Sequence, residues 1–133
     1  MRVSPASVLA VLLLAAACSS PAEEEDEAPA PAEGAPTLVG TVGTEESPDA
    51  FEIALVDEDG NPVTELPAGE YNVEVTDYSA VHNFHLDGGD GAVQEKTGVG
   101  EKGETTWVIT FEPGNYRYLC DPHPSMNGQF TVS

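Results

Sequence analysis

Apolar and polar residues alternate along most of the chain from Thr37 onward. The alternating segments are FEIAL, YNVEV, TWVITF, YRYLC and QFTV. Because successive side chains of a β-strand point to opposite faces, this pattern predicts strands with one buried face. The residues predicted to point inward are Phe51, Ile53, Leu55, Tyr71, Val73, Val75, Trp107, Ile109, Phe111, Tyr116, Tyr118, Cys120, Phe130 and Val132.

Turn-forming residues separate these segments. The separators are DEDGNP, LPAGE, DGGDG, GEKGE and EPGN, and no stretch shows a sustained helical period. About seven or eight short strands divided by such turns are typical of an all-β protein. We therefore predict a Greek-key β-sandwich over residues 37–133.

The N-terminus has the features of an export signal. Arg2 precedes an apolar run that is too short to span a membrane, and small residues follow it, so residues 1–18 are predicted to be a signal peptide. The segment resembles a bacterial lipoprotein signal in which Cys18 is lipidated. However, Leu14 lies four residues before the cysteine, where such signals usually have Leu three before. Ordinary cleavage after Ala17 is the alternative. Both interpretations place the protein in the periplasm or at the cell surface.

The next segment, residues 19–36, consists mainly of proline, alanine and acidic residues. It has no large apolar side chain with which to form a core, so it is predicted to be a disordered linker. Fully extended, it would reach roughly 50–60 Å. The predicted domain organisation is thus a signal peptide, a tether and one folded domain.

The charge of the chain is strongly negative. It has 24 acidic and 4 basic residues and a formal charge of −20. Nucleic-acid binding requires a basic surface, so this composition argues against it. The charge would steer basic partners toward the protein. An acidic surface of the halophilic kind fits the same composition equally well.

One short loop carries most of the candidate chemistry. The segment YLCDPHPSM spaces Cys120, His123 and Met126 three residues apart, with Pro122 and Pro124 between them. Cys120 has no cysteine partner in the predicted domain, which is unusual for an exported protein unless the thiolate binds a metal. The prolines limit the conformations of the loop before a metal binds.

A histidine from another segment completes the set. In SAVHNFHL, strand alternation puts His82 on the inward face with Phe84, and puts Asn83 and His85 on the opposite face. Two imidazoles, a thiolate and a thioether are the ligands of a type 1, blue-copper electron-transfer site with a weak axial methionine. His85 is predicted to take part in surface or polar packing, with a weak second metal site as the alternative.

These motifs resemble the cupredoxin family, which includes plastocyanin and amicyanin. The matching residues are His82, Asn83, Phe84, Tyr118, Cys120, Pro122, His123, Met126 and Gly128. The loop C-D-P-H-P-S-M has the short spacing of amicyanin. Leu119 departs from plastocyanins, which commonly have Tyr before the cysteine, so no electron path through an aromatic residue is expected there.

The resemblance implies roles for residues beside the ligands. It implies that Asn83 donates its backbone N–H to the Cys120 sulfur and that its side chain ties the two ligand loops together. Pro122 has no N–H, so a second hydrogen bond to the sulfur from that position is impossible.

The function expected from sequence is that of an extracytoplasmic one-electron carrier, not an enzyme. It would hold one copper ion that cycles between Cu(II) and Cu(I), as a monomer. It would exchange electrons through His123 with redox proteins such as c-type cytochromes or dehydrogenases. Contact with a membrane would occur only through a lipid anchor. The alternatives are copper sequestration or delivery in the envelope, and a structural β-sandwich without metal.

Overall fold

The protein forms two β-sheets that enclose one apolar core. The computed structural model describes residues 30–133. The predicted signal peptide, Cys18 and residues 19–29 of the predicted linker lie outside the described residues. Within the described range, no helix has the length and apolar character needed to cross a membrane.

Nine strands are present in residues 30–133. They are β1 (Thr37–Val42), β2 (Ile53–Val56), β3 (Glu65–Leu66), β4 (Gly69–Asp77), β5 (His85–Gly88), β6 (Val93–Lys96), β7 (Gly103–Phe111), β8 (Gly114–Leu119) and β9 (Asn127–Val132). One sheet has the order β2-β1-β4-β7 and the other β3-β9-β8-β5-β6. The predicted all-β sandwich is confirmed. The strands outside the five alternating segments are β1, β3, β5 and β6, and β3 has only two residues, too few to show alternation.

The core is formed mostly by residues that the alternation predicted to point inward. Those that are buried are Leu55, Tyr71, Val73, Val75, Ile109, Phe111, Tyr116, Tyr118, Cys120, Phe130 and Val132. Ile53 and Trp107 are partly buried and pack against this core. Full burial of a large apolar side chain contributes about 1.5–3 kcal/mol, so these residues account for much of the stability of the sandwich.

The inward orientation predicted for Phe51 is wrong. Its side chain is 66% exposed, and β2 begins only at Ile53. Phe51 belongs to the loop between β1 and β2, where the two-residue alternation of a strand no longer applies. Its ring lies at the surface rather than in the core.

The chain just before β1 is attached to the domain. The side chain of Asn72 accepts a hydrogen bond from the Ala32 N–H at 2.7 Å and donates one to the Ala32 carbonyl at 2.9 Å. The N–H of Asn72 also donates to the Pro36 carbonyl at 3.0 Å. As a result, Asn72 is buried, and the segment from Ala32 to Pro36 packs against β4.

Sheet register brings the two candidate ligand segments together. Strands β5 and β8 are antiparallel neighbours, and His85 at the start of β5 pairs with Leu119 at the end of β8. The residues just before β5 and just after β8 therefore lie at the same end of the sandwich. Those residues include His82 and Cys120.

Candidate metal centre

Three potential ligand atoms converge at this end of the sandwich. The Nδ1 atoms of His82 and His123 are 2.9 Å apart, and the Cys120 Sγ lies 3.6 and 3.7 Å from them. His82 and Cys120 are completely buried, whereas His123 is half-buried. A metal bound by such side chains lies about 2.0 Å from imidazole nitrogen and about 2.3 Å from sulfur. The three residues can therefore hold one small ion together.

The loop that follows β8 is fixed by its own main chain. The Cys120 N–H donates to the Met126 carbonyl at 3.1 Å, the His123 N–H to the Cys120 carbonyl at 3.2 Å, and the Met126 N–H to the His123 carbonyl at 2.9 Å. The Met126 side chain is only 4% exposed. Met126 thus closes the loop that carries Cys120 and His123, and its role as the axial ligand stays a prediction.

A main-chain carbonyl orients the His82 ring. The Nε2 of His82 lies 3.1 Å from the carbonyl oxygen of Asp49, to which its N–H can donate. With the proton on Nε2, the lone pair of Nδ1 faces the other two ligand atoms, as metal binding requires. The Asp49 carboxylate in turn accepts a hydrogen bond from the Ser79 hydroxyl at 3.0 Å. Sequence reasoning missed Asp49, since any residue supplies a carbonyl and no pattern marks this one.

Phe51 covers the imidazoles from the solvent side. Its ring centroid lies 4.9 Å from that of His82 and 4.8 Å from that of His123, both in edge-to-face geometry. Such aromatic pairs are more favourable than area burial alone explains. Sequence reasoning also missed this contact, because alternation had assigned Phe51 to the core.

The side chain of Asn83 links the two ligand segments. Its Oδ1 accepts from the Asp121 N–H at 2.8 Å, and its Nδ2 donates to the Asp121 carboxylate at 3.0 Å and to the Thr97 carbonyl at 3.2 Å. Asn83 adjoins His82 and Asp121 adjoins Cys120, so these bonds hold the two ligand segments in register. The predicted N–H bond from Asn83 to the Cys120 sulfur, and the effect of Pro122 in the exposed part of the loop, stay predictions.

His85 contacts carboxylates on the outer side of the second sheet. Its Nδ1 is 2.7 Å from Asp121 Oδ1 and its Nε2 is 3.8 Å from Asp87 Oδ2. Burial by itself would raise the pKa of Asp121, but hydrogen bonds from His85 and Asn83 lower it overall. Within residues 30–133, the group of His, Cys, Asp and Glu side chains close enough to share an ion is His82, Cys120 and His123. His85 is outside this group, and its geometry is that of polar packing.

A buried carboxylate supports the segment that carries His82. Asp77 is 1% exposed, and it accepts hydrogen bonds from the Ser79 N–H and the Thr97 hydroxyl, both at 2.9 Å. Burial raises the pKa of Asp77, and these two bonds partly oppose the rise. The Thr97 hydroxyl also accepts from the Phe84 N–H at 2.9 Å. The backbone on both sides of His82 is therefore hydrogen-bonded to the body of the domain.

Part of the chain matches known copper proteins in sequence. Residues 58–133 match the family model described as copper binding proteins, plastocyanin/azurin family. Amicyanin-alpha of Methylorubrum extorquens is 31% identical over 72 residues, which form 53% of this chain and 60% of that protein. The match thus spans less than two thirds of the length of that relative.

Solved structures of low sequence identity share the fold. Reduced rusticyanin is 18% identical with a TM-score of 0.54, covering 73% of this chain and 78% of that chain. Rusticyanin from Thiobacillus ferrooxidans is 17% identical with a TM-score of 0.54, covering 73% and 76% respectively. The family match covers more than half of the chain and includes every residue of the cluster. The chain therefore belongs to the plastocyanin/azurin family of copper-binding proteins, and its cluster of His82, Cys120 and His123 fits a single type 1 copper site.

Proposed function

We propose that this protein is a one-electron carrier between other redox proteins. The observation that carries this proposal is the close approach of two imidazole nitrogens and one sulfur. His82 and Cys120 are buried, whereas His123 is half-buried and reaches the surface. A soft thiolate beside two imidazoles is the ligand set of electron-transfer copper. The proposed ligands are Nδ1 of His82, Sγ of Cys120 and Nδ1 of His123, with the Met126 thioether as a weak fourth.

The rigidity of the site suits this function. Copper, when bound, supplies the Cu(II)/Cu(I) couple. The chain supplies ligand positions set by the sandwich: the Asn83–Asp121 bonds join the two segments, and the loop from Cys120 to Met126 is closed by main-chain bonds. Ligands held in this way move little between the two oxidation states, which keeps the barrier to electron transfer low.

The surface around His123 suits brief docking by a partner. Phe51 is 66% exposed beside His123, and Val81, next to His82, is 45% exposed. The loop that carries Phe51 also contains Glu45, Glu46 and Glu52. A small apolar patch with acidic neighbours fits a transient partner whose surface is basic. We propose that partners are proteins such as c-type cytochromes or dehydrogenases, that electrons pass through His123, and that the carrier acts as a monomer without enzymatic activity.

We also propose that the protein works outside the cytoplasm on a tether. The support is the export signal predicted for residues 1–18 and the acidic, proline-rich composition of residues 19–36. Lipidation at Cys18 would anchor the domain to a membrane. Fractionation of cells that express the native chain or Cys18→Ser tests the anchor: only the native protein should sediment with membranes and take up a labelled fatty acid. Equal release of both would leave a soluble exported protein.

A visible absorption spectrum tests the central proposal. The chain without its signal peptide would be stripped of metal, loaded with Cu(II) and then treated with ascorbate. We expect an intense blue band from the Cys120 thiolate that bleaches on reduction and returns on oxidation.

Cys120→Ser provides the control and should remain colourless with Cu(II). A protein that binds Cu(I) tightly but gives no blue band would instead support copper sequestration. Failure to bind copper in either oxidation state would overturn the assignment of the site.

A further inference from the structure

The loop between β1 and β2, residues 43–52, contacts the metal centre although it lies before the region that matches the family model. It supplies the Asp49 carbonyl to His82 and the Phe51 ring to both histidines. This loop joins two strands of one sheet, whereas the cysteine loop joins β8 and β9 of the other sheet. Loops from both sheets therefore contact the imidazoles.

The two histidines are held in different ways. The ring of His82 is fixed at Nε2 by the Asp49 carbonyl at 3.1 Å. In residues 30–133, the hydrogen bonds include none to Nε2 of His123; its Nδ1 faces His82 and Cys120. Besides the cluster itself, the ring packed on His123 is that of Phe51. Where His82 has a hydrogen bond at Nε2, the His123 imidazole thus has an aromatic contact with Phe51.

The backbone that carries Phe51 is itself well fixed. The Gly43 N–H donates to the Glu52 carbonyl at 2.9 Å and so closes the base of the loop. Within the loop, the Ala50 N–H donates to the Ser47 carbonyl at 3.0 Å. The Asp49 carboxylate accepts a hydrogen bond from the Ser79 hydroxyl. A ring mounted on such a loop can resist the movement of a neighbouring side chain even though its outer face is exposed.

We propose that Phe51 is the positioning residue of His123, holding its imidazole in the orientation that keeps Nδ1 directed at the ion. The expected effect on Cu(I) retention rests on the proposed copper site. The orientation of the His123 ring can be measured in the metal-free protein alone. Loss of the ring removes a contact from both imidazoles, but the Asp49 carbonyl still fixes His82. The loss of orientation should therefore fall mainly on His123.

The experiment compares Phe51→Ala with the native protein, using the full exported chain. In the metal-free state, NMR of the imidazole ¹H–¹⁵N correlations should show one sharp set for each histidine in the native protein. In Phe51→Ala the His123 signals should broaden or double, while those of His82 should shift with the lost ring current but stay sharp and single. An edge-to-face aromatic pair changes an equilibrium by roughly 2- to 10-fold, so Cu(I) retention against a competing chelator should weaken by about that factor.

Two variants separate positioning from general stability. Phe51→Tyr keeps the ring edge and should restore both the sharp His123 signals and the Cu(I) retention. Val99→Ala removes another exposed apolar side chain, 51% exposed, and should change neither measurement. If Phe51→Ala does not fold, Phe51→Leu, which keeps apolar volume without a ring, takes its place with the same expected loss.

The outcomes distinguish this inference from the proposed function. His123 signals that stay sharp and single in the Phe51 variant, or unchanged Cu(I) retention, would overturn the positioning role, as would equal broadening of both histidines. Absence of a blue centre in the native protein would overturn the proposed function instead. The NMR comparison of metal-free proteins would still decide the role of Phe51.

Discussion

The chemistry of the centre depends on single atoms that residue types do not reveal. The ligand types, two histidines and a cysteine with a nearby methionine, are visible in the spacing of the sequence. The Asp49 carbonyl that selects the proton-bearing nitrogen of His82 is not, since it belongs to the main chain. Likewise, the sequence shows Asp121 only as the residue after the cysteine, whereas the structure gives it hydrogen bonds to both Asn83 and His85.

Asn83 offers a test at this scale. Asn83→Ala removes the acceptor of the Asp121 N–H and the two bonds donated by its amide. These three bonds are partly buried, and since a typical hydrogen bond contributes about 0.5–1.5 kcal/mol, their joint loss should cost about 1–3 kcal/mol. We expect the free energy of unfolding of the metal-free protein, measured in denaturant, to fall by that amount.

Asn115→Ala is the matched control, since Asn115 is exposed on β8. Surface changes of this kind usually stay within about 0.5 kcal/mol. Equal stability of the Asn83 variant and the native protein would show that the link between the ligand segments contributes nothing to the fold.

Strands were predictable wherever the chain separates a buried face from an exposed one. Alternation therefore located the strands that form most of the core, and it failed where that condition ends. Phe51 looks like a strand residue because apolar residues follow it at alternate positions. Its ring is instead exposed and packs on His82 and His123. Alternation assigns Asn72 to the outward face, yet it is buried, with its side chain hydrogen-bonded to Ala32 and Ala35. His82 precedes β5 rather than lying in it, although its side chain points inward as expected.

The pairing of β5 with β8 predicts a dependence of stability on pH. Asp87 lies opposite Arg117 in the register, and the guanidinium donates two hydrogen bonds to the carboxylate, at 2.7 and 3.0 Å. These bonds lower the pKa of Asp87, although burial opposes the shift. A lowered pKa means that the ionised carboxylate stabilises the fold above about pH 4, the ordinary range for aspartate, and that this contribution is lost as the pH falls through the native value.

Asp87→Asn should therefore be less stable than the native protein at pH 7, and the difference should shrink on acidification below about pH 4. Thermal unfolding of both proteins across this range measures it. Asp59→Asn, at an exposed turn residue, is the control and should show no comparable narrowing. If the difference in thermal stability between the two proteins stays constant down to pH 3, the Asp87–Arg117 interaction does not favour the ionised carboxylate in the folded state.

At the scale of the whole molecule, charge governs encounters more than folding. The formal charge of −20 produces a field that attracts a basic protein over distances of a Debye length, about 30 Å at 0.01 M salt but only about 8 Å at 0.15 M. We expect the bimolecular rate of electron exchange with a basic c-type cytochrome to fall by on the order of tenfold over this range. Stopped-flow absorbance of the blue band measures the rate.

Hydroquinone, a small uncharged reductant, is the control, and its rate should change little with salt. A rate with the cytochrome that rises with ionic strength would indicate net repulsion at the docking site. The overall negative charge would then not guide partners to the centre.

The attachment of Ala32 to Asn72 fixes the point at which the incoming chain meets the domain. In the parallel pairing of β1 with β4, Thr37 lies opposite Asn72 and Val42 lies opposite Asp77, and the metal centre is beyond the Val42 end. The incoming chain is thus fastened at the far end of the sandwich, about 20 Å of β1 away from the centre. A lipid at Cys18 would therefore attach the domain at the end opposite the histidines. A partner could then dock on the histidine end without displacing the tether.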